Sequence, residues 1–332
     1  GNLSHWDESG QLRAVYEYYV PSDEITTVEA GNAYWRKSQS PAAVTLQSGD
    51  LVDSAVTLTL NRASYGWNQI SSPFAYPVAW DHGSTLWQWD SETKDFVEVR
   101  GILEPWKGYW VMTDSAQSVE IAPEPTFQYG GILKRAKRFF VDRSEWRIQV
   151  VFRQQDGQDA DNVLGFSRAA RNDYDRLDRY EPPRMSGSGY LYFPHEEWNK
   201  PSVRFASDIR RRFNDVNAFD IAVAPTSGGT IRFEGASELS GVHLYFGKGD
   251  KVDAVDPDDS YKIAQSEQTQ YYTLYATNNS DFLKSFPRRF AMENPYPNPC
   301  RLSTRIRYTL PYRWETGGRL VDRNYEVRVT IH

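Results

Sequence analysis

Short β-rich segments separated by turn residues recur along almost all of the 332-residue chain. Examples are "AVTLTL", "TLWQWD", "GYWVMT", "WRIQVVF", "FDIAVAP" and "YYTLYAT". They are rich in aromatic and β-branched side chains, partly alternate between apolar and polar positions, and are bounded by Gly, Pro, Asn and Asp. Long helical periodicity is nearly absent. This pattern predicts an all-β protein built of tandem β-sandwich modules of the jelly-roll or immunoglobulin-like kind.

Two breaks in composition divide the chain into three predicted units. In "APEPTFQYGG", Pro and Gly cluster after a finished strand. In "FPRRFAMENPYPNP", the prolines lack the hydrogen-bond donor that a central strand needs. We therefore predict a β-sandwich with Trp-rich motifs over about 1–125, a second β-sandwich with Asp-rich loops over about 126–288, and the incomplete start of an immunoglobulin-like domain over about 289–332.

Charge and cysteine content exclude several classes of protein. The net charge is −6, so the chain lacks the global basic footprint of a nucleic-acid-binding protein. The basic runs "KRAKRF" and "IRRRF" are more typical of solvated faces or of partners for the Asp-rich loops. The single cysteine, Cys300, excludes an internal disulfide and zinc sites built on CxxC pairs. No apolar run approaches the ~20 residues of a membrane helix.

The stretch "NPYPNPCRLSTRIRYTLPY" resembles the start of the C-terminal immunoglobulin-like (Por-type) sorting domain of type IX secretion cargo. The matching residues are Tyr296, Pro297, Asn298, Pro299, Thr304, Ile306, Tyr308, Leu310 and Pro311. Cys300 stands where the family usually has Phe, and the chain stops where a further strand would follow. The resemblance implies an extracellular or outer-membrane-surface protein exported by that machinery, and we expect the encoded chain to continue past His332. The alternative is a Pro-rich linker followed by a hairpin.

Three motifs of the first unit, "AGNAYWRKS", "YGWNQISSPFAYPVAW" and "LEPWKGYWVM", resemble β modules that precede such sorting domains in large surface proteins. These motifs do not indicate any particular biochemical activity. We expect their large rings to be packed in the core, namely Trp67, Phe74, Trp80, Trp106, Tyr109 and Trp110. We expect Gly66 and Gly108 to permit tight turns. The alternative is a platform for glycan, with Trp67, Trp80, Trp106 and Trp110 as the stacking residues.

One stretch of the second unit, "RQQDGQDADNVLGFSRAARNDYDRLDRYEPP", concentrates oxygen ligands. The candidates are Asp156, Asp159, Asp161, Asn162, Asp173, Asp175 and Asp178. A hard cation such as calcium binds several oxygens from a flexible loop. The spacing is not that of an EF-hand. We predict either a calcium loop with a structural role or a solvated loop in which Asp serves turns.

Catalytic motifs such as GxSxG, HExxH and the phosphate-binding glycine loops are missing. The five histidines are scattered, and "FPHEEW" around His195 indicates a loop. We expect a non-catalytic extracellular structural or adhesion protein that assembles, through exposed strand edges, with other surface proteins or with copies of itself. One alternative is a carbohydrate-binding accessory region of a secreted degradative enzyme, with polysaccharide as its partner. Another is a hydrolase with an atypical carboxylate site.

Overall fold

The structure is a computed structural model that describes residues 3–6, 19–20, 27–36, 49, 52–126, 145–155, 157–184, 189–211, 215–249 and 251–286. Four short strand segments, 291–292, 308–309, 313–314 and 320–322, are also described. Within these residues the regular structure is mainly β-strand, with a single short α-helix, Phe282–Ser285. The predicted all-β sandwich class is therefore confirmed. No helix of the described residues is long and apolar enough to cross a membrane.

The first sandwich follows a small N-terminal sheet with the strand order β2-β1-β3. Its main sheet has the order β5-β10-β7-β8, and it is accompanied by the pairs β4–β11 and β6–β9. A 3-10 turn, Ser64–Gly66, precedes β5. The strands are β1 (Leu3–Trp6), β2 (Tyr19–Val20), β3 (Trp35–Arg36), β4 (Val56–Leu60), β5 (Trp67–Ser71), β6 (Val78–Trp80), β7 (Leu86–Asp90), β8 (Asp95–Val99), β9 (Gly101–Leu103), β10 (Gly108–Met112) and β11 (Gln117–Ile121).

The main sheet of the first sandwich is apolar on both faces. Ile70, Tyr109 and Val111 belong to the face that joins the core of this sandwich. Phe74 and Trp80 of the predicted core set lie in the same core, outside the main sheet. The opposite face carries the rings of Trp67, Trp87, Trp110 and Phe96. Directly paired residues of neighbouring strands share a face, and Trp110 pairs with Trp87 while Trp89 pairs with Phe96. Because both faces are apolar, the sheet needs cover on both sides.

The second sandwich packs a five-stranded sheet, β16-β13-β12-β18-β21, against a six-stranded sheet, β15-β14-β17-β22-β19-β20. All pairs are antiparallel except β13 with β16. Between the sheets lies a core rich in Phe, Ile, Leu and Val. The strands are β12 (Trp146–Gln154), β13 (Gly157–Phe166), β14 (Leu191–Pro194), β15 (Arg204–Phe205), β16 (Ser207–Arg210), β17 (Val216–Val223), β18 (Gly229–Glu234), β19 (His243–Lys248), β20 (Lys251–Ala254), β21 (Tyr261–Ile263) and β22 (Gln270–Thr277). The 3-10 turns Glu196–Trp198 and Ala236–Glu238 follow β14 and β18.

Two further strand pairs lie near the C-terminus. The strands are β23 (Ala291–Met292), β24 (Tyr308–Thr309), β25 (Arg313–Trp314) and β26 (Leu320–Asp322). Of the predicted sorting motif, Tyr308 lies in β24, opposite Met292. The other members lie outside the described residues: Tyr296, Pro297, Asn298, Pro299, Thr304, Ile306, Leu310 and Pro311. The resemblance to a sorting domain therefore stays a prediction, as does the first domain boundary, which falls beside the undescribed residues 127–144.

The two glycines predicted at turns differ in backbone conformation. Gly66 closes the Ser64–Gly66 turn with a φ of 78°, in the left-handed region that favours glycine. Gly108 instead begins β10 and pairs with Ser71 of β5. The turn expected at Gly108 is wrong because the strand already starts at that residue.

Replacing Gly66 by Ala is expected to destabilise the protein more than replacing Gly83 by Ala. Both glycines are left-handed, with φ of 78° and 73°, so either alanine costs about 1–2 kcal/mol from its backbone conformation. A Cβ at Gly66 would overlap the Thr113 carbonyl oxygen and lie 2.7 Å from Met112 Sδ, whereas nothing lies within 4 Å of one at Gly83. We expect G66A to lose about 1–3 kcal/mol more than G83A. Urea unfolding measures the difference, and equal losses would contradict the tight packing described at Gly66.

Candidate functional site

Four buried carboxylates surround one arginine where the two sandwiches meet. The junction cluster consists of Asp95 from β8, Asp159 and Asp161 from β13, and Glu181 and Arg184 from the segment after them. Arg184 Nη2 lies 2.8 Å from Asp95 Oδ1, 3.0 Å from Asp159 Oδ1 and 3.7 Å from Asp161 Oδ1. Arg184 Nε lies 3.5 Å from Glu181 Oε1. One guanidinium thus links an acid of the first sandwich to acids of the second.

A β-bulge helps the carboxylates of β13 converge. The register between β12 and β13 shifts at Val151, so that Ala160 and Asp161 both lie opposite that one residue. A bulge of this kind bends the strand and redirects its side chains. Asn162, just after the bulge, donates from Nδ2 to Asp159 Oδ1 at 2.6 Å. The polar side chains of this strand therefore contact one another instead of alternating strictly between core and solvent.

Main-chain groups hold two of the carboxylates in place. Asp95 Oδ2 accepts a hydrogen bond from Ala160 N at 2.9 Å, which crosses from one sandwich to the other. Asp95 Oδ1 accepts from its neighbour Phe96 N at 2.9 Å. Asp159 Oδ2 accepts from Leu191 N of β14 at 2.7 Å. These bonds orient the acids and fasten the edge strand β8 of the first sandwich to β13 of the second.

Burial and mutual repulsion raise the pKa of these acids. Burial raises the pKa of Asp95 to about 6, and the charge of Asp161 adds to this effect while Arg184 opposes it. Burial also raises the pKa of Asp159 well above its ordinary value, against the attraction of Arg184. The pKa of Glu181 is raised in the same way by burial and by the nearby charges of Asp161 and Asp159. One arginine is therefore too little positive charge for the whole cluster.

Aromatic rings of the first sandwich cover the arginines of the second. The Arg184 guanidinium lies 5.3 Å from the ring centre of Phe96 and 5.8 Å from that of Trp89. The Arg179 guanidinium lies 5.3 Å from the ring centre of Trp87. Such cation–π contacts strengthen when water is excluded. The tryptophan face of the main sheet is thus covered in part by the charged segment of the second sandwich.

The tryptophan face leaves two openings on either side of this contact. A cleft of about 520 Å³ lies between the sandwiches, and its lining includes Trp67, Trp87, Asp114, Tyr174, Arg176, Asp178 and Tyr180. A smaller groove of about 220 Å³ lies toward the start of β10. We call it the Trp106 groove, and its lining includes Tyr34, Trp35, Gln69, Gln88, Trp89, Phe96, Trp106 and Lys107.

Trp106 is the most exposed large apolar side chain of the described residues, with 84% of its surface open to solvent. Its backbone has a φ of 64°, a left-handed conformation that a bulky residue rarely adopts. The turn around it is held by the Tyr109 hydroxyl, which accepts from Glu104 N at 3.0 Å, and by an ion pair between Lys107 and Glu104. Trp106 was expected in the core, and that expectation is wrong because the turn before β10 directs its ring outward.

The other tryptophans considered for glycan stacking are buried. Trp67 and Trp110 are each 2% exposed, and their rings contact one another at 6.1 Å on the face toward the second sandwich. Trp80 is 4% exposed and belongs to the core of the first sandwich. A ring without an exposed face cannot stack on a sugar. The alternative of glycan stacking is therefore wrong for these three tryptophans. Trp106 alone of the four presents its ring to solvent.

The structure separates the predicted calcium ligands into two groups. Asp159, Asp161 and Asn162 are buried in β13 and do not form a solvated loop, while Asp156 lies outside the described residues.

The remaining predicted ligands belong to a turn region. Asp175 accepts from Leu177 N at 2.6 Å, and Asp178 accepts from Asp175 N and Ile209 N, each at 2.9 Å. These two acids serve turns, as the alternative interpretation predicted. Asp173 is exposed.

Asp95 and Arg184 were absent from the predicted site. Asp95 lies in a different sandwich, 89 residues before Arg184, and no local pattern distinguishes it from other acids. Glu181 lies near the end of the Asp-rich stretch quoted above but was not among the predicted ligands.

His195 lies between β14 and the following 3-10 turn, as the loop interpretation predicted, and its environment there is charged. The residue is buried, and its ring stacks on Trp198 with centroids 3.5 Å apart. His195 Nδ1 lies 2.7 Å from Glu197 Oε1, and Nε2 lies 3.2 Å from Asp208 Oδ2. Asp208 in turn pairs with Arg210 at 2.7 Å. Each ring nitrogen of His195 thus lies against a carboxylate, and such an arrangement favours the charged imidazolium form.

Comparison with known proteins gives no family assignment. No protein-family model, no curated protein and no solved structure matches this chain.

Replacing Arg184 by Met is expected to lower the free energy of unfolding by about 3–5 kcal/mol, because buried carboxylates lose their counter-ion. Met keeps an apolar stem, so the decrease in the free energy of unfolding comes mainly from the missing guanidinium charge. The control is Arg100→Met, which removes a 2.8 Å ion pair with Glu98 from an arginine side chain that is 66% exposed. That change is expected to cost less than about 1 kcal/mol. Urea unfolding followed by circular dichroism measures both, and equal losses would contradict the central role of Arg184.

The protein is expected to lose stability at alkaline pH through His195. Burial lowers the pKa of His195, but Asp208 and Glu197 outweigh it and raise the value to about 9, above the 6.5 of an ordinary histidine. The stabilisation that accompanies this raised pKa is therefore complete below pH ~6.5, and it is lost as the pH rises through ~9. We expect the stability difference between wild type and H195Q to shrink by on the order of 2–3 kcal/mol between pH 6 and 10. A pH-independent difference in urea unfolding would contradict a charged His195.

Proposed function

We propose that this chain is a non-catalytic, carbohydrate-binding part of an exported surface protein, and that the Trp106 groove holds the sugar rings. The observation that carries the proposal is Trp106 itself, 84% exposed and held at a φ of 64°. A strained backbone and an exposed indole both cost free energy, and residues kept in such a state are concentrated at binding sites.

The lining of the Trp106 groove suits a polysaccharide. Aromatic rings offer flat apolar faces for the C–H surfaces of pyranose rings. Gln69 and Gln88 carry amide groups, and Lys107 carries an ammonium group, all of which can bond to hydroxyl groups. A groove with rings and a few polar groups is the common form of a small-ligand site. The groove borders the contact between the sandwiches, because Trp89 and Phe96 line it and also lie against Arg184.

Assembly through strand edges receives less support from the described strands. The four outer strands of the second sandwich, β15, β16, β20 and β21, have two, four, four and three residues. Short edges with charged residues, such as Lys251 and Asp253 of β20, oppose edge-to-edge pairing. Export through a type IX sorting domain stays part of the proposal, and it is supported by the motif beginning at Tyr296 alone.

A carboxylate hydrolase is also less well supported. The cleft between the sandwiches is lined by Asp114 and Asp178, which would be the candidate pair. Both oxygens of Asp178 already accept main-chain hydrogen bonds, from Ile209 and Asp175. Burial raises the pKa of Asp178 to about 7, but this acid holds the turn. We therefore propose a binding role and no catalytic residue.

Replacing Trp106 by Ala is expected to abolish or strongly weaken binding to polysaccharide. Affinity electrophoresis in gels containing xylan, mixed-linkage β-glucan, mannan or soluble chitin derivatives provides the screen, followed by isothermal titration with oligosaccharides of the retarding polymer. We expect W106A to bind at least about tenfold more weakly, a loss of about 1.4 kcal/mol, because it removes the exposed ring.

The matched control is Tyr65→Ala. Tyr65 is also an exposed aromatic residue in the left-handed region, with a φ of 61°, but it does not line the Trp106 groove. Y65A is therefore expected to bind as wild type does. The proposal is contradicted if wild type binds no polymer of the panel, or if W106A and Y65A bind equally well.

A further inference from the structure

The junction cluster carries more negative than positive charge. Its four carboxylates face Arg184, and a second arginine, Arg179, lies nearby, because its Nη2 donates to the main-chain carbonyl oxygen of Asp161 at 2.9 Å. Four negative charges against two positive charges leave an excess of two when every acid is ionised. An uncompensated charge in a buried site is costly, so such a cluster must take up protons or a cation.

Glu181 is the acid whose charge is least satisfied. The residue is 1% exposed, and neither carboxylate oxygen has a hydrogen-bond donor among the described residues. Its ion pair with Arg184 Nε is long, at 3.5 Å, and that Nε likewise has no acceptor in the described part of the chain. After burial, the charges of Asp161 and Asp159 have the largest effects on Glu181, so its carboxylate faces the cluster. Buried carboxylates normally accept several hydrogen bonds.

Asn162 provides a second oxygen without a donor. The residue is fully buried, and its Nδ2 is used by Asp159 Oδ1. Its Oδ1 has no donor among the residues that the structure describes. An amide oxygen is a neutral ligand for hard cations. The orphaned oxygens of Glu181 and Asn162 therefore belong to ligand types that calcium prefers.

Three acids of the cluster lie close enough together for one cation. One oxygen from each of Asp95, Asp159 and Asp161 lies within 4.8 Å of the others. Oxygens bound at about 2.3–2.6 Å to one calcium ion lie at most ~5 Å apart. Arg184 Nη2 already lies against Asp95 and Asp159, at 2.8 and 3.0 Å. Asp161, at 3.7 Å from the same nitrogen, and Glu181, at 3.5 Å from Nε, are therefore the acids that Arg184 compensates least.

We infer that the junction cluster binds one Ca²⁺, with Asp161 and Glu181 as its main charged ligands and Asp159 and Asn162 as additional oxygen ligands. The two charges of the ion balance the excess that the arginines leave. Because Asp95 is tied to this group through Arg184 and Ala160, the ion also stiffens the contact between the sandwiches. The inference does not depend on what the Trp106 groove binds.

The test is calcium titration of the whole chain after treatment with EGTA. Elemental analysis of the purified protein before that treatment records any calcium that co-purifies. We expect isothermal titration at pH 7.5 to give one site and differential scanning fluorimetry to give a higher melting temperature with Ca²⁺. The variant Glu181→Gln, which loses one charged ligand, is expected to bind at least about tenfold more weakly. The control Glu267→Gln changes an exposed acid far from the cluster in sequence and should bind as wild type does.

The same variants separate metal binding from general damage. In EGTA, E181Q should melt at or above the wild-type temperature, because it removes an unbalanced buried charge, and only wild type and E267Q should gain stability from Ca²⁺. If E181Q does not fold, Asp161→Asn is used in its place. Calcium titration of the EGTA-treated wild type tests the inference in either case. The inference is overturned if EGTA-treated wild type binds no Ca²⁺ at millimolar concentration, or if E181Q binds Ca²⁺ as wild type does. Protons would then balance the charge of the cluster.

Discussion

The ion pairs of Arg184 are the interaction on which the arrangement of this molecule depends. Neither sandwich is complete at the junction, because the first presents an apolar tryptophan face and the second presents buried acids. Arg184 satisfies both, since its guanidinium bonds to Asp95 and Asp159 and lies close to the rings of Trp89 and Phe96. Removing one partner of such a buried network leaves the other charges stranded, which is why its cost exceeds that of a surface pair.

This junction explains the unusual use of tryptophan in the first sandwich. Trp67, Trp87 and Trp110 cover one face of the main sheet, and part of that face contacts Arg179 and Tyr180 of the second sandwich. The rest of the face borders the cleft and the Trp106 groove, where aromatic lining remains open. One apolar surface can therefore hold two sandwiches together and also form binding sites at its margins. The calcium ion proposed above would strengthen the contact between the sandwiches, and polysaccharide would bind at the margin of the surface.

The sequence predicted the fold class well and the site only in part. Strands such as Val56–Leu60 follow local alternation between apolar and polar residues, which is why they could be recognised. The acids of β13 were identified as a group, but the bulge opposite Val151 that makes them converge has no clear sequence signal. Asp95 and Arg184 meet only through tertiary packing. The outward ring of Trp106 depends on one left-handed turn, whereas tryptophan in a β-rich chain is usually buried.

The most direct test of the junction is hydrogen exchange at the Ala160 amide, followed by NMR or by mass spectrometry with residue-level fragmentation. This N–H donates to Asp95 Oδ2 in the other sandwich, so its protection reports the contact itself. If the sandwiches are joined as described, Ala160 should exchange only through unfolding events as rare as those that expose the core of the second sandwich. Exchange of Ala160 through frequent local openings, while neighbouring amides of β13 remain protected, would show that the junction opens independently and would contradict the central role of Arg184.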